Sequence, residues 1–218
     1  MKELSLHTRP GERSVILCLG AHSDDLEIGC GGTVLRLLHE NPNYRVHWVV
    51  LSAAGQRGAE ARTSAEQMLS GAAEKQIHGR EYRDGFFPYD GAAIKDYFEE
   101  LKRLVNPDLI FTHCQNDLHQ DHRLVCELTW NTWRDHLILE YEIPKYDGDL
   151  GNPNLFVPVG DALARQKTQI LMNSFVSQHT KRWFTEDTFL ALMRLRAVQA
   201  GVAGNYAEAF YARKMILA

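Results

Sequence analysis

The chain has 218 residues, the size of one large domain, and a net charge of −4 with its ten histidines neutral, so it lacks the basic footprint of a nucleic-acid binder. Hydrophobic residues make up 44% and charged residues 24%, enough apolar side chain for a sizeable core, yet no run approaches the roughly 18 residues of a membrane span. The four cysteines, Cys18, Cys30, Cys114 and Cys126, form no C-x-x-C pair, and the lead MKELSLHTRPGERSVILCLG lacks a signal-peptide core and cleavage site; a cytoplasmic protein with free thiols is expected.

In chain order, Ser14 to Leu19 is a short apolar run closed by Gly20, the pattern of a buried strand. A helix is predicted over Ile28 to His39, a strand over Arg45 to Leu51, and a helix over Ala59 to Gln76. Tyr82 to Phe87 reads as a short strand ended by Pro88. Ile94, Phe98, Leu101, Leu104 and Val105 make a helical stripe that Asn106-Pro107 breaks before a strand at Asp108 to Thr112. A helix from Asp121 to about Arg134, a strand from Leu137 to Ile143 and a turn-rich loop from Pro144 to Asn154 follow. Then come a strand at Leu155 to Val159 and helices at Asp161 to Phe175 and Glu186 to Gln199. Ala207 to Leu217 fits helix or strand. No repeat and no linker divides the chain.

Strands alternating with helices predict a single α/β, Rossmann-like domain with a mostly parallel sheet flanked by helices. Ligands in such sheets bind beyond the carboxyl ends of the strands, where strand order switches. The loops after the first strand and after Asp108 to Thr112 are therefore the places to look. They hold the densest ionisable residues in the chain: Ala21-His22-Ser23-Asp24-Asp25-Leu26-Glu27-Ile28-Gly29-Cys30-Gly31-Gly32-Thr33 and His113-Cys114-Gln115-Asn116-Asp117-Leu118-His119-Gln120-Asp121-His122. Imidazole nitrogen and carboxylate oxygen are the zinc ligands expected without thiolates, and a catalytic site needs about three of them plus an open position. Taken singly these residues have duller readings. His7, His39, His47, His78, His136 and His179 read as ordinary surface or loop histidines, and Asp24 and Asp25 could cap a helix. His-x-Asp-Asp and His-x-Asp-His after two strands of one chain point to a site.

With those motifs on the page, the sequence resembles the PIG-L/LmbE-like N-acetylglucosamine deacetylase family. The first loop is similar to that family's His-Pro-Asp-Asp signature with its glutamate and glycine-rich turn, and the second to its His-x-Asp-His signature. Arg57, Glu60, Lys167, Ser177-Gln178 and Tyr206-Ala207-Glu208-Ala209-Phe210 extend the resemblance over nearly the whole chain. Ser23 and Gln120 stand where the family commonly has proline; neither departure removes a ligand or an acid–base group.

The resemblance implies that His22, Asp25 and His122 bind zinc, although the same ligands accept iron(II) or cobalt. It makes Asp24 the general base. His119 becomes the oxyanion stabiliser and proton donor to the leaving amine, oriented by Asp121. Arg57 and Asp84 are its candidate contacts to the sugar. Glu27 is read as support for backbone N–H groups at the helix start, and Gly29, Gly31 and Gly32 as packing glycines rather than a phosphate cradle. Cys114 is read as a buried bystander and His113 as an extra ligand that the resemblance does not need. The expected partner is a small N-acetyl amino sugar conjugate, with no nucleic acid and no transmembrane segment, and self-association is left open. The competing readings are a metal-dependent hydrolase of another amide or of a phosphoester, and a nucleotide-binding regulatory protein. The latter predicts a glycine-rich phosphate loop that the chain lacks.

Overall fold

The computed structural model describes residues 14–216. His7, the N-terminal lead and Leu217 at the end of the predicted tail element lie outside them. One seven-stranded sheet runs through the molecule. Its strands are β1 (Val15–His22), β2 (Arg45–Ser52), β3 (Glu74–Gly79), β4 (Leu109–His113), β5 (Leu137–Tyr141), β6 (Leu155–Val159) and β7 (Tyr206–Ala212), in the spatial order β3-β2-β1-β4-β5-β7-β6. The first five strands pair in parallel; β7 runs antiparallel to both β5 and β6. The helices are α1 (Asp25–Glu40), α2 (Gly55–Met68), α3 (Gly91–Leu104), α4 (Gln120–Thr132), α5 (Asp161–Ser174) and α6 (Glu186–Ala200).

β1 is buried on both faces, which explains its unbroken apolar run. Ile16 and Cys18 join one core with residues of α1, α2, α5 and α6, while Leu17 and Leu19 join the other with Ile94, Phe98 and Leu101 of α3 and Val125 of α4. Helices thus cover both faces of the sheet, as the alternation of elements predicts.

Two boundaries differ from expectation. The helix predicted over Ala59 to Gln76 ends at Met68, and Glu74–Gly79 is a strand instead. That strand is the sheet edge and its side chains are largely exposed, so its sequence EKQIHG carries no apolar signal. The strand predicted over Tyr82 to Phe87 is absent. The segment turns at Gly85, which has φ +81°, and a short 3-10 helix at Phe87–Tyr89 delivers Phe87 into the core. The tail element, open between helix and strand, is strand β7.

The chain lays β1, β2 and β3 in one direction and then crosses to β4 and β5 on the other side of β1. The switch in strand order lies between β1 and β4, and the loops leaving their carboxyl ends are neighbours.

Candidate metal centre and its acid–base groups

His22 is the last residue of β1, Asp24 and Asp25 start α1, and His119 caps α4, whose first turn carries Asp121 and His122. Of the expected ligands, His22 Nδ1 lies 3.1 Å from His122 Nε2 and 3.3 Å from Asp25 Oδ2, and the last two atoms are 3.5 Å apart. A tetrahedral ion with bonds of about 2.0–2.1 Å has ligand-to-ligand edges of roughly 3.3–3.4 Å. The three atoms therefore suit one face of such a tetrahedron.

Each histidine has its other nitrogen engaged. His122 Nδ1–H donates to Asp117 Oδ2 at 2.9 Å, which leaves Nε2 as the lone pair facing the cluster. Burial, reinforced by the neighbouring His113, takes His122 down to about 3, so the ring is neutral as a ligand must be. His22 Nε2–H is 3.1 Å from Asp121 Oδ2 and 3.1 Å from Asp84 Oδ1, which leaves Nδ1 for the cluster. Burial disfavours charge on His22, but the carboxylates of Asp25, Asp121 and Asp84 outweigh it and hold the pKa well above the ordinary value, favouring a proton that a metal at Nδ1 would have to displace. Asp25 is driven the other way: burial would raise it, and the three histidines around it keep it well below the carboxylate range.

His113 shares this cluster, with Nε2 3.2 Å from Asp25 Oδ2 and its ring stacked on His122 at 3.9 Å. The backbone N–H of Ala21 donates to that same Nε2 at 3.0 Å, so the lone pair a ligand would use is already engaged. This favours His22, Asp25 and His122 as the donor set.

Asp24 is buried beside the cluster. Its Oδ1 accepts from Arg57 Nη2 at 3.1 Å, while Oδ2 has no hydrogen-bond partner among the described residues. Burial and the adjacent Asp25 raise its pKa, against the pull of Arg57, Lys181 and His22. Arg57 also donates through Nη1 to Asp84 Oδ2 at 3.0 Å, so one guanidinium bridges Asp24 and Asp84. Asp84 is held down to about 2, chiefly by its hydrogen bond from His22. Neither Asp24 nor Asp25 makes a capping bond to α1: Asp25 Oδ2 instead accepts the His22 N–H at 2.6 Å.

His119 stands at the half-open side of the cluster, its ring centroid 4.8 Å from His22 and 4.6 Å from His122. Here the structure departs from the sequence expectation. Asp121 does not grip the His119 ring; its carboxylate accepts from His22 and from the backbone N–H groups of Gly85 and Phe87. Only its backbone N–H reaches His119, donating to Nδ1 at 3.3 Å as the helix cap. A neutral His119 with its proton on Nε2 satisfies this bond. Burial and His22 also lower its pKa, which disfavours the imidazolium expected from the sequence.

Glu27 is buried with the Ser64 hydroxyl and its own backbone N–H as weak partners, and burial outweighs them to push the group up to about 8. Gly29 matches its packing role, because a Cβ there would lie 2.2 Å from the Tyr141 ring. Cys114 is buried with a thiol pushed up to about 11, an inert bystander. The remaining family-like positions tie helices together: Glu60 accepts from Ser177 N and Oγ, and Lys167 Nζ pairs with Glu208 at 2.7 Å.

The sequence reading passed over Asp117, Lys145 and Asp149. Asp117 was visible as the carboxylate five residues before His122 in a histidine-bearing loop. Lys145 and Asp149 belong to a turn-rich loop whose fold cannot be read from composition.

A family model described as PIG-L: GlcNAc-PI de-N-acetylase matches residues 17–133, a span that contains every residue of this cluster. Among solved structures, the N,N'-diacetylchitobiose deacetylase from Pyrococcus horikoshii is 22% identical, with a TM-score of 0.71 over 91% of this chain and 83% of that one. The 4-carboxy-2-hydroxymuconate hydratase from Pseudomonas putida KT2440 is 18% identical, with a TM-score of 0.71 over 94% and 98%. A teicoplanin deacetylase in a zinc-inhibited form is 13% identical, with a TM-score of 0.69 over 91% and 97%. At these identities the likeness shows a shared fold. Deacetylases and a hydratase stand on that fold, so chemistry must be argued from the side chains.

Proposed function

The chain belongs to the PIG-L family, described as GlcNAc-PI de-N-acetylases, and from that premise we propose that it is a metal-dependent hydrolase that removes the N-acetyl group from an N-acetylglucosamine-type amino sugar or its conjugate, releasing acetate. The observation that carries this reading is the pairing of two features. Three donor atoms lie 3.1–3.5 Å apart, and beside them a buried carboxylate oxygen, Asp24 Oδ2, has nothing bonded to it.

His22, Asp25 and His122 would hold the ion, zinc by donor type, with iron(II) or cobalt as alternatives. When bound, such an ion polarises an amide carbonyl and draws the pKa of water down towards about 7. Asp24 takes a proton from the attacking water at Oδ2 and returns it to the amine nitrogen as the C–N bond breaks. Arg57 holds Asp24 by its other oxygen and favours its ionised form against burial and the adjacent Asp25. His119, neutral and protonated at Nε2, donates to the oxygen that gains charge at the acetyl carbon. Asp121 fixes the ring of His22, and Asp117 that of His122. Arg57 and Asp84 line the approach from the sugar side, with Asp84 half-exposed and able to accept from a hydroxyl.

All four cysteines are free, which suits a reducing cytoplasm, and among the described residues no helix is long and apolar enough to cross a membrane. The test is acetate release from a panel of N-acetyl amino sugars and their conjugates, before and after chelation and with metal restored. Hydrolysis confined to non-sugar amides or phosphoesters would replace this reading with a different hydrolase.

A further inference from the structure

The loop joining β5 to β6 carries a buried ionic clasp onto the metal-binding loop. Lys145 Nζ donates to Asp117 Oδ2 at 3.0 Å and also to Asp149 Oδ2. Asp149 Oδ2 in turn accepts the backbone N–H of Leu118 at 2.7 Å. The side chains of Lys145, Asp117 and Asp149 are 8%, 3% and 6% exposed, so this is no solvated surface pair. Burying an ammonium is costly unless charged partners surround it, and here both partners border the candidate metal centre.

Asp117 is the point of contact. Its Oδ1 accepts the His119 N–H at 2.8 Å, and its Oδ2 receives both the His122 Nδ1–H and the Lys145 ammonium. The first two donors come from its own loop and would move with it. Lys145 is the donor from outside, and it fixes the carboxylate against a different strand connection. We propose that Lys145 is a positioning residue for His122, acting through Asp117, with Asp149 as its anchor. The loop after β5 and the loop that bears His119 and His122 then form one rigid unit. The proposal rests on the reading of His122 as a metal ligand.

The test is metal affinity rather than turnover. Chelator-stripped protein is titrated with cobalt(II) against a competing chromophoric chelator. Lys145→Met should weaken binding about 10- to 100-fold, the usual cost of losing support behind a ligating histidine. The sign is diagnostic. By charge alone, deleting a cation near a divalent ion would tighten binding. Because Lys145 acts through Asp117, the double variant Lys145→Met/Asp117→Asn should bind no more weakly than Asp117→Asn alone. Unchanged or tighter binding in Lys145→Met, or fully additive losses, overturns the proposal. If Lys145→Met does not fold, Asp149→Ala keeps the ammonium and removes its anchor. It should weaken cobalt binding about three- to tenfold and speed hydrogen exchange at the Leu118 amide in metal-free protein; no change in either overturns the proposal. If wild-type protein takes up no cobalt, or His122→Ala binds it as tightly as wild type, the ligand reading fails instead, and exchange at Leu118 still reports on the clasp.

Discussion

The Asp121 carboxylate lies 3.1 Å from Nε2 of His22, a residue 99 positions earlier, and leaves the ring of its near neighbour His119 to a backbone N–H. One carboxylate therefore links the two loops that build the site. Its two other bonds, from the N–H groups of Gly85 and Phe87, bring in the segment after β3 as a third support. The consequence is a division of labour. Asp121 acts on a candidate ligand, and His119 is aimed by its position as the cap of α4.

Asp121→Asn should therefore read out in metal binding. An asparagine keeps the shape but offers a neutral acceptor to His22 and loses charge that favours the donor ring. Affinity for zinc or cobalt should fall about 10- to 100-fold, measured by chelator competition. If affinity is unchanged while the pH profile of turnover moves, Asp121 acts on His119 after all.

Asp24→Asn should retain metal and lose about 10²- to 10⁴-fold in turnover, because the amide cannot accept the proton. Metal content by elemental analysis, set beside the rate of acetate release, separates the two effects. Loss of metal with the activity would exchange the roles of Asp24 and Asp25.

Arg57→Met should move the ascending limb of the pH–rate profile. Arg57 lowers the Asp24 pKa against burial and the adjacent Asp25, so removing it raises that pKa. A base is active above its pKa, so the limb shifts to higher pH and turnover drops most at the acid side. Binding of the sugar should weaken as well, since Asp84 loses the guanidinium that holds it. An ascending limb that stays in place, with only KM altered, would confine Arg57 to substrate contact.

The parallel sheet and both site loops were legible because burial on two faces demands continuous apolar strands, and because the candidate ligands sit within a few residues of strand ends. The atoms of His22, Asp25 and His122, which the family resemblance singled out, lie close together. What escaped depended on long-range contact. The edge strand Glu74–Gly79 is polar because little packs on it, so a helical composition upstream ran on through it. The resemblance paired Asp121 with His119, whereas the fold brings its carboxylate to His22 at the end of β1. The Lys145 clasp depends on the path of an irregular loop, which no periodicity encodes. The complete burial of Glu27 in the first turn of α1 was not legible, because a helix-start carboxylate is usually solvated.

That buried carboxyl yields a prediction about stability. Glu27 is fully buried, and burial lifts it from an ordinary 4.5 to about 8 against the weaker pull of the Ser64 hydroxyl and its own N–H. At neutral pH the folded chain therefore carries a proton on Glu27 that the unfolded chain has released. Between about pH 4.5 and 8 the unfolded state binds fewer protons, so stability falls as pH rises through this window and levels off above it. Glu27→Gln replaces the neutral acid with a neutral group of the same shape and removes this dependence. In metal-free protein the variant should match wild type near pH 5 and exceed it near pH 8, by at most roughly 3–5 kcal/mol, or on the order of 5–15 °C in Tm. Calorimetry at the two pH values checks it. A wild-type-to-variant gap that is the same at pH 5 and pH 8 would mean that Glu27 is ionised in the fold and has a partner holding its charge.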